Sequence, residues 1–164
     1  MINMDVLERI GKIVDKLTER RIRIAIAESC TGGYVSHMIT NIAGASNVFE
    51  RGVISYSNQS KTDLLNVDSK LIERFGAVSE EVAREMAEGV RIISRRTDLG
   101  IGITGIAGPT GGTPEKPVGL VFIGFSTEND ETLVKKFNYE ADRITFKQKV
   151  LQEIIDYLDS FDSK

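Results

Sequence analysis

The chain is predicted to form a three-layer α/β/α sandwich around a mixed, mostly parallel sheet, and three observations predict it. Short apolar runs alternate along the sequence with segments of helical periodicity, the pattern of parallel strands joined by helical crossovers. Near the C-terminal end two apolar runs flank the polar tip Glu128-Asn129-Asp130, a hairpin that adds one antiparallel strand. Hydrophobic residues make up 41% of the 164 residues, enough for a core, and the length fits a single domain over 1–164.

Each element can be justified in turn. Val6, Ile10, Ile13, Val14 and Leu17 recur at helical spacing and predict a helix over about 3–19. Ile22 to Ala27 is the first strand, followed by a turn and a helix from Gly32 to about Ile42, with Gly44 as stop signal. Val53-Ile54-Ser55-Tyr56 is expected as a short buried strand. Ser57 or Asn58 can cap the short helix holding Lys61 to Leu65, and Ser69 to Arg74 predicts another, closed by Gly76. Ser79 caps a longer helix to about Arg96, with Glu80 and Glu81 in the favourable first turn. Leu99 to Thr104 is a strand of apolar residues and glycines, and residues 105–117 form a loop that holds all three prolines. Val118 to Phe125 and Thr132 to Asn138 are the hairpin strands, and Asp142 to Leu158 is the closing helix.

Composition excludes several function classes. A net charge of −3 and scattered basic residues give no nucleic-acid-binding face. No stretch approaches the ~20 apolar residues of a membrane span, and Met1 to Leu17 carries acids unlike a signal peptide. One cysteine permits no internal disulfide, which fits a cytoplasmic protein, and with one histidine it makes no usual zinc site. No metal or organic cofactor is expected.

The chemistry is concentrated in Ala27-Glu28-Ser29-Cys30-Thr31-Gly32-Gly33, where an apolar strand runs into a glycine turn and a helix N-terminus. Free backbone N–H groups there suit an anion or a developing oxyanion, so Cys30, Thr31, Gly32 and Gly33 are candidate donors. Ser29 is the first candidate nucleophile; Cys30 is the second, and is read more simply as a small apolar residue packing the turn. A serine needs a base. His37 lies eight residues on along the next helix and is expected to point elsewhere, and Glu28 leaves an extended chain on the opposite side from its neighbour. Lys61 remains: burial and a helix N-terminus would depress its pKa and fit it as a base, the competing reading being an ordinary solvated lysine.

Ser29, Tyr56 and Thr104 all fall at or just beyond predicted strand ends, where ligands sit in open α/β sheets. The loop from Thr104 through Gly105 and Gly108 to Thr113 offers hydroxyls and N–H groups suited to a phosphorylated ligand, against the alternative of a structural turn. It is not a P-loop, and the G-x-G-x-x-G spacing of Gly100, Gly102 and Gly105 is read as chance because it begins inside a strand and runs into prolines. Arg143 could clamp a phosphate bidentately or pair with Glu140 or Asp142 on the surface.

Four blocks in this order and spacing, Ala27 to Gly33, Gly52 to Lys61, Gly76-Ala77-Val78-Ser79 and Gly102 to Pro109, resemble the signatures of the CinA C-terminal domain family. The resemblance covers nearly the whole chain and is to the stand-alone form. It implies a nicotinamide-nucleotide amidase, which hydrolyses the carboxamide of nicotinamide mononucleotide to nicotinate mononucleotide and ammonia. It implies Ser29 as nucleophile, Lys61 as base, Tyr56 as a pocket tyrosine that aids proton return, and Thr104 and Arg143 near the substrate, at its phosphate. It also implies a homodimer. Thr145-Phe146-Lys147 stands where a second arginine would be expected. The alternatives are a non-catalytic nucleotide-binding or partner-binding module of the same fold, and an amidase acting on a related phosphorylated amide.

Overall fold

The computed structural model describes residues 4–161, so the expected first residue of the opening helix, Asn3, lies outside the described residues. The described chain runs α1 (Met4–Glu19), β1 (Ile24–Glu28), α2 (Tyr34–Thr40), β2 (Phe49–Ile54), α3 (Asn58–Leu65), α4 (Ser69–Phe75), α5 (Glu80–Ile93), β3 (Leu99–Gly105), β4 (Leu120–Ser126), β5 (Leu133–Asn138) and α6 (Arg143–Ser160). A single 3-10 turn, Ala45–Asn47, precedes β2.

The five strands form one sheet in the order β2-β1-β3-β4-β5. β1 pairs in parallel with both β2 and β3. β4 runs antiparallel to β3 and to β5, so it is the reversed strand of a sheet whose other members share one direction. This is the expected mixed α/β/α sandwich. One apolar core packs α1, α2 and α6 on one face through Leu17, Val35, Phe146 and Ile154; a second packs α5 with Leu65 and Ile72 on the other through Met86 and Val90. β1 is buried along its whole length, as parallel strands covered on both faces are.

The backbone of α5 lies close against the sheet, and glycine is the reason. A Cβ at Gly100 would lie 2.2 Å from the Ala87 carbonyl oxygen, and one at Gly102 2.4 Å from the Ala87 nitrogen. The spacing that mimics a dinucleotide fingerprint is therefore a packing seam.

β1 spans Ile24–Glu28 rather than the expected Ile22 to Ala27, β2 ends at Ile54 rather than the expected Tyr56, and α5 ends at Ile93 rather than about Arg96; three further differences from the sequence reading have a local cause. β2 begins at Phe49, four residues before the expected Val53, and it is an edge strand rather than a buried one: Arg51, Gly52 and Ile54 are exposed. Its charged residues hid it, and one of them pairs across to β1's approach, Arg23 to Glu50 at 2.6 Å. α2 begins at Tyr34 rather than Gly32, because Gly32 and Gly33 adopt positive φ of 62° and 92° and hold a turn open ahead of the helix. β4 begins at Leu120, two residues late, after Gly119 turns at φ 95°.

Candidate functional site

Parallel strands with one direction place β1, β2 and β3 so that their carboxyl ends share an edge of the sheet, and the candidate residues gather there. β1 and β2 are in register at Glu28 and Ile54, and the Ser55 N–H donates to the Glu28 carbonyl at 2.9 Å. The Ser29 N–H in turn donates to the Ile103 carbonyl at 3.0 Å. The nucleophile candidate is thus tied by its backbone to β3 while the chain toward Lys61 is tied to β1.

After Ser55 the chain enters α3 through a capping box. Ser57 accepts from the Ser60 N–H, and the Ser60 hydroxyl accepts from the Ser57 N–H. That cap fixes the first turn and sends the Lys61 side chain back under the strand end. Lys61 is 1% exposed, a rare state for lysine, and no carboxylate pairs with it among the described residues. Its Nζ lies 3.0 Å from Ser29 Oγ and 2.9 Å from the Ser55 carbonyl oxygen, with the Tyr56 and Ser57 carbonyls each at 3.5 Å. Burial lowers its pKa from the ordinary lysine value. The two residues proposed from sequence as nucleophile and base are therefore in hydrogen-bond contact across 32 positions of chain, and the reading of Lys61 as a solvated lysine is corrected.

Cys30 does not compete. Its thiol is buried and its pKa is pushed up to about 12 by desolvation, so no thiolate forms near neutrality. His37 is exposed on α2 and contacts Asn41, away from Ser29, as expected.

The oxyanion donors are fewer than the sequence suggested. The Gly32 N–H donates to the Ser29 carbonyl at 3.1 Å, and the Gly33 N–H to the Glu28 carboxylate at 3.0 Å. Among the described residues the N–H groups of Cys30 and Thr31 have no oxygen partner, which reduces the array from four donors to two.

Tyr56 and Arg143 meet beside the strand ends. Arg143 donates to the Tyr56 hydroxyl at 2.8 Å and to the Gly108 carbonyl at 2.7 Å, so it joins the β2 exit to the glycine loop instead of pairing with Glu140 or Asp142. Asp142 caps α6, accepting from the Ile144 and Thr145 N–H groups. Thr104 is corrected: at 1% exposure, its hydroxyl donates to the Ala77 carbonyl at 2.7 Å and ties β3 to the segment before α5. Gly105 packs closely; a Cβ there would lie 3.1 Å from Cys30 Sγ.

Sequence reasoning gave no place at the site to three residues. Lys147, one turn beyond Arg143 on α6, brings its Nζ within 3.7 Å of where a Gly32 Cβ would lie. The Glu28 carboxylate caps α2, and the signal for it was an acid shortly before a helix N-terminus. Ile144 is 62% exposed and, with Ile54 at 55% and Tyr56 at 61%, gives this end of the molecule apolar surface. The described residues hold no cluster of three or more His, Cys, Asp or Glu side chains able to hold a metal, and no helix long and apolar enough to cross a membrane.

The sheet order, the strand-end turn and the buried serine–lysine contact define an α/β/α protein with a Ser–Lys pair at the carboxyl edge of its parallel strands. By sequence the chain belongs to the CinA C-terminal domain family, whose model matches residues 7–161. A CinA-like protein from Kosmotoga olearia is 48% identical over 146 residues, covering 89% of this chain and 35% of that protein. The chain spans about a third of the length of the curated relatives it matches. Among solved structures, the competence/damage inducible protein CihA from Agrobacterium tumefaciens superposes with a TM-score of 0.92 at 35% identity, covering 98% of this chain and 97% of that one. A CinA superfamily protein from Escherichia coli gives 0.87 at 27% identity, covering 96% and 91%.

Proposed function

We propose that this protein is an amidohydrolase that converts nicotinamide mononucleotide to nicotinate mononucleotide and ammonia through a Ser–Lys mechanism. The observation that carries the proposal is the 3.0 Å contact between Ser29 Oγ and the Nζ of a fully buried Lys61 that, among the described residues, no carboxylate neutralises. Burying an unpaired ammonium is costly, so the site favours the neutral amine. A neutral amine has two N–H bonds and one lone pair. The Ser55 carbonyl takes one N–H and the Tyr56 and Ser57 carbonyls lie ready for the other, which turns the lone pair toward the Ser29 hydroxyl.

Lys61 takes the Ser29 proton as Oγ bonds to the carboxamide carbon. The oxygen of the tetrahedral intermediate is held by the N–H groups of Cys30 and Thr31, each donor of this kind contributing about 3–4 kcal/mol. Lys61 returns the proton to the amide nitrogen, the C–N bond breaks, and ammonia leaves an acyl ester on Ser29. Water, giving its proton to Lys61, attacks the ester carbon; the C–O bond to Ser29 breaks as Lys61 returns that proton to Ser29 Oγ, and the carboxylic acid product leaves and ionises in solvent. The Tyr56 hydroxyl, held by Arg143, supports the protonation of the leaving group. Arg143 and Lys147 supply cations for the substrate phosphate, a role that the buried Thr104 hydroxyl does not fill.

Purified protein is expected to release ammonia from nicotinamide mononucleotide in the presence of a chelator. Ser29→Ala is expected to lower kcat by about 10³-fold or more while the circular dichroism spectrum and Tm stay those of the parent. Unchanged turnover in that variant overturns the proposal.

A further inference from the structure

Glu28 is fully buried beside the reactive serine, and the reaction above gives it no task. One carboxylate oxygen accepts from the N–H groups of Gly33 at 3.0 Å and Val35 at 3.2 Å. The other accepts from the Ser36 N–H at 2.8 Å and the Ser36 hydroxyl at 2.6 Å. β2 leaves room for this: a Cβ at Gly52 would lie 2.9 Å from Ser36 Oγ. Four donors converge on this one carboxyl group at the positive end of α2, and among the described residues no cation pairs with it.

This changes what the helix end does. The first N–H groups of α2 are commonly free to receive an anion from solution; here the protein's own carboxylate consumes them. The turn is then clamped at both ends, by Ser29 N–H on β3 and by Gly33 N–H on Glu28. Between the clamps the Gly32 N–H is spent on the Ser29 carbonyl, leaving those of Cys30 and Thr31 uncommitted among the described residues.

We propose that Glu28 is a positioning residue: its buried carboxylate, through Gly33, Val35 and Ser36, fixes the Ser29–Thr31 turn so that the Ser29 hydroxyl and the Cys30 and Thr31 N–H groups meet one electrophile together. The inference rests on Ser29 being the nucleophile, and the experiment separates the two. Inactivation by a fluorophosphonate reads serine attack and oxyanion binding without requiring any particular amide substrate. Glu28→Gln keeps the shape but sets an NH2 against backbone donors.

The parent is expected to be labelled at Ser29. Glu28→Gln is expected to lose about tenfold or more in the limiting inactivation rate while the reagent's half-saturating concentration stays within about twofold. Glu28→Asp, which keeps the charge, recovers part of the loss, an outcome that a merely structural role does not give. Ser36→Ala removes one hydroxyl from the carboxylate, carries the test if Glu28→Gln does not fold, and is expected to slow labelling about threefold. Equal limiting rates in the parent and in folded Glu28→Gln, or in Ser36→Ala where the first does not fold, overturn the positioning role and leave the nucleophile standing. Absence of Ser29 labelling in the parent overturns both.

Discussion

Among the described residues Lys61 is held by a hydroxyl and backbone carbonyls and not by a counter-charge, and the consequences for pH follow from sign. Its folded pKa lies below the unfolded value because burial penalises the ammonium. As base it must be neutral, so kcat is expected to rise with pH through that depressed pKa and level off before the ordinary lysine value of about 10.4. The folded protein binds fewer protons than the unfolded chain between those two values, so stability rises with pH across the same window. Lys61→Met is expected to abolish turnover and to flatten Tm against pH there. Cys30→Ala is expected to retain activity within about threefold, measured as ammonia release, since the high thiol pKa leaves no thiolate to lose. At this scale the sequence offered both members of the Ser29–Lys61 contact, a hydroxyl at a strand end and a lysine shortly after the neighbouring strand, but not the burial of that lysine, which from sequence could equally be solvated. Glu28 was only half legible. Alternation along β1 correctly denied it the role of base, but alternation carries no information about which helix N-terminus lies over the other face.

The elements record a second kind of information, the closeness of their backbones. α5 sits on β3 and β4 where Gly100, Gly102 and Gly124 present no side chain; at Gly124 a Cβ would lie 2.5 Å from the Ala83 carbonyl oxygen. Gly102→Ala is expected to cost about 3 kcal/mol or more, because rigid backbone rather than a flexible side chain stands in the way, and chemical denaturation would read it. Glycines inside a strand look alike from sequence whether they admit a ligand or a helix; here the loop that follows was the discriminating sign. β2 was misjudged for a related reason. Its first residues mix Phe49 with Glu50 and Arg51, and an edge strand tolerates charges that a central strand would not.

At the scale of the whole molecule the site spans all three layers. Lys61 comes from α3 on one face of the sheet, Ser29 from the strand-end turn, and Arg143 and Lys147 from α6 on the other face. Phe146, fully buried between those two cations in sequence, anchors that helix in the core. Arg143→Ala is expected to raise KM for nicotinamide mononucleotide about tenfold, and to lower kcat less, by a factor shared with the phosphate-free nucleoside because the Tyr56 hydroxyl is released in both reactions; steady-state kinetics on the pair would separate the two effects. The sequence offered Arg143 as a phosphate ligand or a surface ion pair and gave no sign of its bridge from Tyr56 to Gly108, because the two partners lie 87 and 35 residues away.

The hydrogen bonds that join Ser29 to β3 and Ser55 to β1 set the spacing of alcohol and amine by the ladder of the sheet, whereas Gly108 and the proline loop belong to a connecting segment and Arg143 to the exposed start of α6. Variation can therefore act on the two parts separately. Insertions or exchanges around residues 106–117 and along the first turns of α6 would retune which amide is admitted without disturbing the reactive pair, so a laboratory selection for new leaving-group or sugar tolerance is best aimed there, with the strand ends left untouched.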